Sequence, residues 1–194
     1  MTAPTRPALP REVRIIGGQW KRSKLAVADA PGLRPTPDRV RETLFNWLGH
    51  DLSGWRCLDA FAGSGALGFE AASRGAADVV LLERDRRLAA RLNEAKLRLN
   101  AGQLRVEATD AMAWMARCPA DTFELVFIDP PFDTPLIAPA LALALRLVVP
   151  RGFVYVEAGQ ALPSDLLASH GLALHRQGRA GAVHFQLLQR AGSP

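Results

Sequence analysis

The chain has only two cysteines, Cys57 and Cys118. They are scattered, with no metal-ligand spacing. That excludes a disulfide framework or a cysteine metal site and predicts reduced thiols in the cytoplasm. Long apolar runs are equally scarce. The most apolar stretch, LIAPALALALRLVVP, is broken by Pro139 and Arg146, so no segment is expected to span a bilayer. The opening MTAPTRPALPREV lacks the apolar core of a secretion signal. Internal repeats and low-complexity tracts are absent. What the chain does have is 48% apolar residues over 194 positions. That is enough for the core of one domain and too much for a disordered chain.

Charge is unevenly placed. Residues 1–50 hold nine Lys/Arg and four acids, while the remainder holds 15 of each, so the whole net charge of +5 lies in the first quarter. Apolar and turn residues, VRIIGG and KLAV, are interleaved with the bases. A solvated tail would not contain them. A folded basic segment is the electrostatic footprint of a polyanion, usually nucleic acid. The expected organisation is a disordered, Pro-rich tail over 1–12, a basic hairpin and helix over 13–50, and a main domain over 51–194.

Along the chain, Val13–Ile16 and Trp20–Val27 read as two short strands around Gly17-Gly18. Thr36 is a candidate N-cap with Pro37 at the first helical position. Val40, Leu44, Trp47 and Leu48 then follow at helical spacing, with Arg39, Glu42 and Asn46 on a polar face. From Trp55 the pattern becomes strand–helix alternation. Strands RCLDAF, DVVLLE, LRVEATD, ELVFID and GFVYVEA are each separated from the next by a helix, and GLALHRQ and AVHFQLLQ alternate with period two around GRAG. Continuous apolar strands between helices imply a parallel sheet covered on both faces. The last pair predicts an antiparallel hairpin closing it. The fold class expected is α/β and Rossmann-like, a seven-stranded, mostly parallel sheet with a C-terminal antiparallel hairpin and a small N-terminal β-hairpin and helix extension.

In such sheets ligands lie at the carboxyl ends of the strands. Four strands end in acids: Asp59, Glu83, Asp110 and Asp129. Gly63, Gly65 and Gly68 in GSGALG fit G-x-G-x-x-G after a strand, with Glu83 twenty residues beyond Gly63. The glycines permit a tight turn and close backbone approach, and the acid can accept from ribose hydroxyls. That pattern alone does not separate NAD from S-adenosylmethionine. Two features favour the latter. Asp59, ahead of the loop, is unfavourable beside a pyrophosphate but suits a cofactor bearing an ammonium and a sulfonium. Asp110 offers an acceptor for an adenine amine. Nicotinamide chemistry would also call for a proton-transferring His or Tyr, and neither follows the early strands.

The segment ELVFIDPPFD runs a buried strand into two prolines and an aromatic. Paired prolines fix the chain and donate no hydrogen bonds. An exocyclic amine on a nucleobase is a poor nucleophile because its lone pair is delocalised into the ring. Acceptors for both N–H bonds would hold it and favour a freer lone pair. The Asp129 carboxylate and Pro130 carbonyl are two such acceptors, and Phe132 offers a stacking face worth roughly 1–3 kcal/mol. Catalysis would then be positioning and electrostatics, without a metal.

LDAFAGSGALGFEA together with FIDPPF resembles class I S-adenosylmethionine-dependent methyltransferases of base amino groups, whose signature is Asn/Asp-Pro-Pro-aromatic. RIIGGQWKRSKLAV and GLRPTPDRVRETLFNWL resemble the RsmD family, which modifies guanine N2 in 16S ribosomal RNA. The resemblance covers roughly residues 13–190. It implies a cytoplasmic monomer acting on an assembled or partly assembled small subunit. It further implies that Asp59, Phe61, Gly63, Gly65, Glu83, Asp110 and Ala111 bind S-adenosylmethionine, released as S-adenosylhomocysteine, and that Asp129, Pro130 and Phe132 hold the base. Arg14, Lys21, Arg22 and Lys24 on the hairpin, with Arg34, Arg39 and Arg41 near the mouth, would meet RNA phosphates. The alternatives are an adenine-N6 or cytosine-N4 methyltransferase, an inactive RNA-binding assembly factor and, more distantly, an NAD-dependent oxidoreductase.

Overall fold

The computed structural model describes residues 12–27, 36–131 and 134–191. Residues 1–11 of the expected tail, Arg34 and Phe132 lie outside them, and Glu12, expected in the tail, opens a strand. Nine strands and six helices follow in chain order among the described residues. β1 (Glu12–Arg14) and β2 (Lys24–Ala26) form the small antiparallel hairpin, Val13 opposite Leu25. α1 (Asp38–Leu48) comes next. The main sheet is built by β3 (Arg56–Asp59), β4 (Asp78–Glu83), β5 (Leu104–Ala108), β6 (Phe123–Ile128), β7 (Val148–Ala158), β8 (Leu172–Ala180) and β9 (Val183–Arg190). Between its strands run α2 (Ala66–Ser73), α3 (Arg86–Arg98), α4 (Ala111–Arg117), α5 (Ile137–Leu147) and α6 (Ser164–Ser169).

The strand order is β5-β4-β3-β6-β7-β9-β8. β3 pairs in parallel with both β4 and β6, and β9 alone runs against the other six strands, pairing antiparallel with β7 and β8. The order reverses direction at β3, so a crevice opens between the carboxyl ends of β3 and β6. Alternate side chains supply two cores. Cys57, Val79, Leu81, Leu125 and Phe127 face Phe69, Leu92, Leu44 and Phe45. Leu58, Val80, Val126, Ile128 and Val154 face Met115, Leu141, Ala144 and Leu167. This two-sided burial is why the strands read as unbroken apolar runs.

Several helices carry their own boundary chemistry. Asp85 caps α3, accepting from Arg87 N at 2.7 Å, and Asp110 caps α4, accepting from Ala113 N at 2.9 Å. Arg146 of α5 donates to the carbonyls of Met115 and Cys118 at 2.6 and 2.7 Å, closing the far end of α4. Among the described residues no helix is long and apolar enough to cross a membrane.

The N-terminal extension shares the first core, through Ile15, Leu25, Val40, Leu44 and Phe45. Its strands are shorter than the sequence predicts: Ile15 and Arg22 still bond across the hairpin, at 2.8 Å each, but the next donors bond elsewhere. Ile16 N and Gly17 N donate to the two Glu70 oxygens, both at 2.8 Å. Gln19 N and Trp20 N go to the Ser73 carbonyl and hydroxyl, at 2.8 and 3.0 Å. α2 takes the place of a longer partner strand. Thr36 does not cap α1: Pro37 occupies the cap position, with no side-chain cap bond, because the Thr36 hydroxyl is committed to a buried carboxylate. α6 is an addition to the sequence expectation.

Candidate functional site

β3 ends in Asp59 and the chain turns at once toward α2. Gly63 and Gly65 hold positive φ, +52° and +77°, and Gly65 N closes the turn on the Ala62 carbonyl at 2.6 Å. A side chain at Gly65 would meet Leu92 Cδ2 at 2.6 Å. Gly68 answers a different need. It lets α2 lie on β3, where an added Cβ would stand 3.1 Å from Leu81 and 3.2 Å from Asp59 Oδ2. That oxygen accepts from Gly68 N at 3.0 Å, so Asp59 pins the helix start to the strand. Glu83, at the end of β4, accepts from Gly63 N at 3.0 Å and Asp85 N at 2.8 Å.

These pieces surround a cavity of about 390 Å³, a volume suited to a cofactor or drug-sized ligand. Asp59, Phe61, Gly63, Glu83, Asp110 and Ala111 all line it, as do Asp129 and Pro130. Gly65 does not; it shapes the turn. Met112, Leu82 and Leu88 add apolar walls. Asp129 follows β6, and its proline turn is closed by Thr134, whose N–H and hydroxyl donate to the Pro131 carbonyl at 3.2 and 2.7 Å. Among the described residues no donor takes the Pro130 carbonyl.

Behind the cavity sits a buried polar cluster. Glu157, near the end of β7, accepts from the Thr36 and Tyr155 hydroxyls at 2.8 and 2.9 Å. The Thr36 hydroxyl also lies 3.4 Å from Asp129 Oδ2. Burial pushes the Asp59 carboxyl up to about 7; the Gly68 and Phe61 N–H groups oppose this, and Glu83 and Glu157 reinforce it. Asp129 is raised well above the usual carboxylate range by burial, then by Glu157 and Asp59. Burial likewise raises Glu157, against the hydroxyls of Thr36 and Tyr155 and the charge of Arg41. Three carboxyls sharing one dry region favour a cationic guest, which would draw their pKa values back down. Glu157 was missed in the sequence, although it obeys the rule that found the other acids: it ends a parallel strand.

The basic residues divide. Arg14, Lys21, Arg22, Lys24 and Arg39 are exposed. Lys24 pairs with Glu12 at 2.7 Å, and Arg14 lies 4.0 Å from Asp38. Arg41 is a correction to the sequence reading: its side chain has no exposure and cannot meet a phosphate. Its guanidinium bonds Asp38 at 2.6 Å, Glu70 at 3.3 Å and the Arg14 and Thr36 carbonyls at 2.8 and 3.2 Å. Burial lowers its pKa, and Glu70 and Asp38 oppose that. Its place three and four residues before apolar Leu44 and Phe45 was the signal that it points inward.

The model of a family described as conserved hypothetical protein 95 matches residues 13–189. Ribosomal RNA small subunit methyltransferase D of Escherichia coli K12 is 44% identical over 186 residues, spanning 92% of this chain and 90% of its own length. The protein of the same name from Haemophilus influenzae is 39% identical over 188 residues, spanning 94% and 96%. The solved structure of yhhF from Escherichia coli superposes with a TM-score of 0.81 at 39% identity, covering 94% of this chain and 99% of that one.

Proposed function

The chain belongs to the RsmD family, that of ribosomal RNA small subunit methyltransferase D, and on that premise we propose that it transfers a methyl group from S-adenosylmethionine to the N2 amine of a guanine in 16S ribosomal RNA. The observation that carries this reading is the meeting, in one cavity, of the glycine turn, the strand-end acids Glu83 and Asp110, and the Asp129-Pro130 turn. The donor set fits the cofactor. Asp59 and Asp129 offer negative charge for its cationic end, Glu83 has lone pairs left for ribose hydroxyls, and Asp110 uses one oxygen on its helix and keeps the other. Phe61, Ala111, Met112 and Leu88 supply apolar walls for the adenine. The bound cofactor supplies an electrophilic methyl on a positively charged sulfur.

The chain's own part is to place the nucleophile. The Asp129 carboxylate and Pro130 carbonyl accept the two N–H bonds of the guanine amine, and the prolines fix the angle between those acceptors. Phe132 stacks on the base. Arg14, Lys21, Arg22, Lys24, Arg34 and Arg39 meet phosphates, orienting the RNA without reading its sequence. The target must present its Watson–Crick edge, in a loop or flipped from a helix. The substrate is an assembled or partly assembled small subunit in the cytoplasm, met by a monomer.

The deciding experiment is methyl transfer from labelled S-adenosylmethionine to small ribosomal subunits from cells lacking this protein, followed by nucleoside analysis. Label in N2-methylguanosine is expected. Label in N6-methyladenosine or N4-methylcytidine would overturn the target atom. Cofactor binding without any label would point to an assembly factor.

A further inference from the structure

The charges of residues 51–194 balance in total but not in space. Arg84, Arg86, Arg87, Arg91 and Arg98 stand exposed on α3 and the turn before it. Among the described residues none of them forms an ion pair, whereas Arg41, Arg56, Arg74, Arg105 and Arg190 each pair with a carboxylate. Arg91 and Arg98 are seven residues apart, which puts them on one face of the helix about 10 Å apart along its axis.

That face borders a groove of about 220 Å³ between α3 and β2. Leu25, Leu92 and Ala95 give it apolar lining, and Glu94 is its one acid. Arg98 Nη2 donates to the Lys24 carbonyl at 2.5 Å, tying the helix to the basic hairpin. The groove does not end blind. Gly63, Ser64 and Leu88 line both it and the 390 Å³ cavity, so it leads to the lip of the glycine turn.

We propose that this groove is a track for the RNA strand, in which Arg91 and Arg98 hold phosphates near the target nucleotide, alongside the basic hairpin. The inference rests on the function proposed above and extends the RNA footprint beyond residues 13–50. Two guanidiniums without carboxylate partners above an apolar lining suit a polyanion whose sugars and bases touch the wall while its phosphates meet the arginines. A small phosphorylated metabolite would call for a closed set of donors; this groove is open and continues into the active cavity.

The test compares R91Q/R98Q with R151Q/R176Q, a control whose exposed arginines lie on β7 and β8, toward the opposite sheet edge. Binding to small ribosomal subunits is measured over a salt series, with methyl-transfer kinetics and cofactor affinity alongside. For R91Q/R98Q the salt slope of log K should flatten by about 1.4, two single-strand phosphate contacts. KM for the subunit should rise several-fold, with kcat and cofactor affinity unchanged and the thermal midpoint lowered only by what the exposed Arg98–Lys24 hydrogen bond contributes. Equal slopes and KM values in both variants would overturn the track. So would weakened cofactor binding at an unchanged slope, which would assign the groove to the cofactor. If the wild-type protein methylates subunits but the variants match it, only this inference falls. If the wild-type protein neither binds nor methylates them, the proposed function falls with it.

Discussion

Thr36 has one hydroxyl proton and two buried carboxyls within reach, Glu157 at 2.8 Å and Asp129 at 3.4 Å. Tyr155 gives Glu157 a second donor, so Glu157 is well served and Asp129 keeps its accepting capacity for a substrate amine. Thr36→Val should therefore lower kcat and cost about 1–3 kcal/mol of stability, while Thr36→Ser should retain both; a kinetic and thermal comparison of the two variants checks this. Asp129→Ala should abolish turnover while S-adenosylmethionine still binds by calorimetry, more weakly because one of the carboxyls around its charge is gone. Loss of cofactor binding would reassign Asp129 from base to cofactor. Asp59, held at about 7 against an ordinary 3.8, sets a pH dependence. In that window the folded protein keeps a proton that the unfolded chain has released. Stability of the cofactor-free protein therefore falls as pH rises from about 4 to 7, by on the order of 4 kcal/mol for a three-unit shift. Asp129 and Glu157 act in the same direction. The thermal midpoint should drop between pH 5.5 and 8, and S-adenosylmethionine should raise it more at pH 8. A cofactor shift independent of pH would mean these carboxyls do not face its charge.

Among the elements, α2 has two duties. Its N-terminal end forms the glycine turn, and its C-terminal half carries Glu70 and Ser73, which hold residues 16–20. Glu70 accepts two backbone N–H groups and the guanidiniums of Arg41 and Arg74, at 3.3 and 2.9 Å, all in a buried site. Glu70→Ala strands the buried Arg74, strips Arg41 of one of its two carboxylates and should cost about 3–5 kcal/mol. Hydrogen exchange should then speed at Ile16 and Gly17 before the main sheet is affected. The helices and the central strands were legible from periodicity because each buries one or two continuous faces. The lengths of β1 and β2 were not, since donors of residues 16–20 between them bond to a helix more than fifty residues away, and no local pattern records that. α6 has six residues, too few for a helical period to stand out. The C-terminal hairpin was visible, but its two-residue loop is Gly181-Ala182, later than the GRAG stretch alone suggested.

On the scale of the whole molecule, charge bookkeeping located the basic extension and overlooked the arginines of α3, because acids elsewhere cancel them in a sum. The strand-end rule found Asp59, Glu83, Asp110 and Asp129, since a parallel sheet gathers its carboxyl ends at one edge whatever the loop details. It could not separate a capping role from a binding role. Asp110 is a cap and also lines the cavity, and only the three-dimensional arrangement shows both. Arg41 shows the reverse limit, a cation that sequence counts as surface and the fold spends on an internal ion network.

All eight residues of α2 are buried. On the proposed function it is a short shaft between the turn that would hold the cofactor and the arm that would meet RNA. Such a shaft would carry a load on the arm to the turn, and a filled cavity would stiffen the arm. The two ligands then share one coupling constant, readable from either side: the factor by which RNA tightens cofactor binding equals the factor by which cofactor tightens RNA binding. Glu70→Ala, which cuts the shaft from the arm, should drive that factor toward one while both partners still bind.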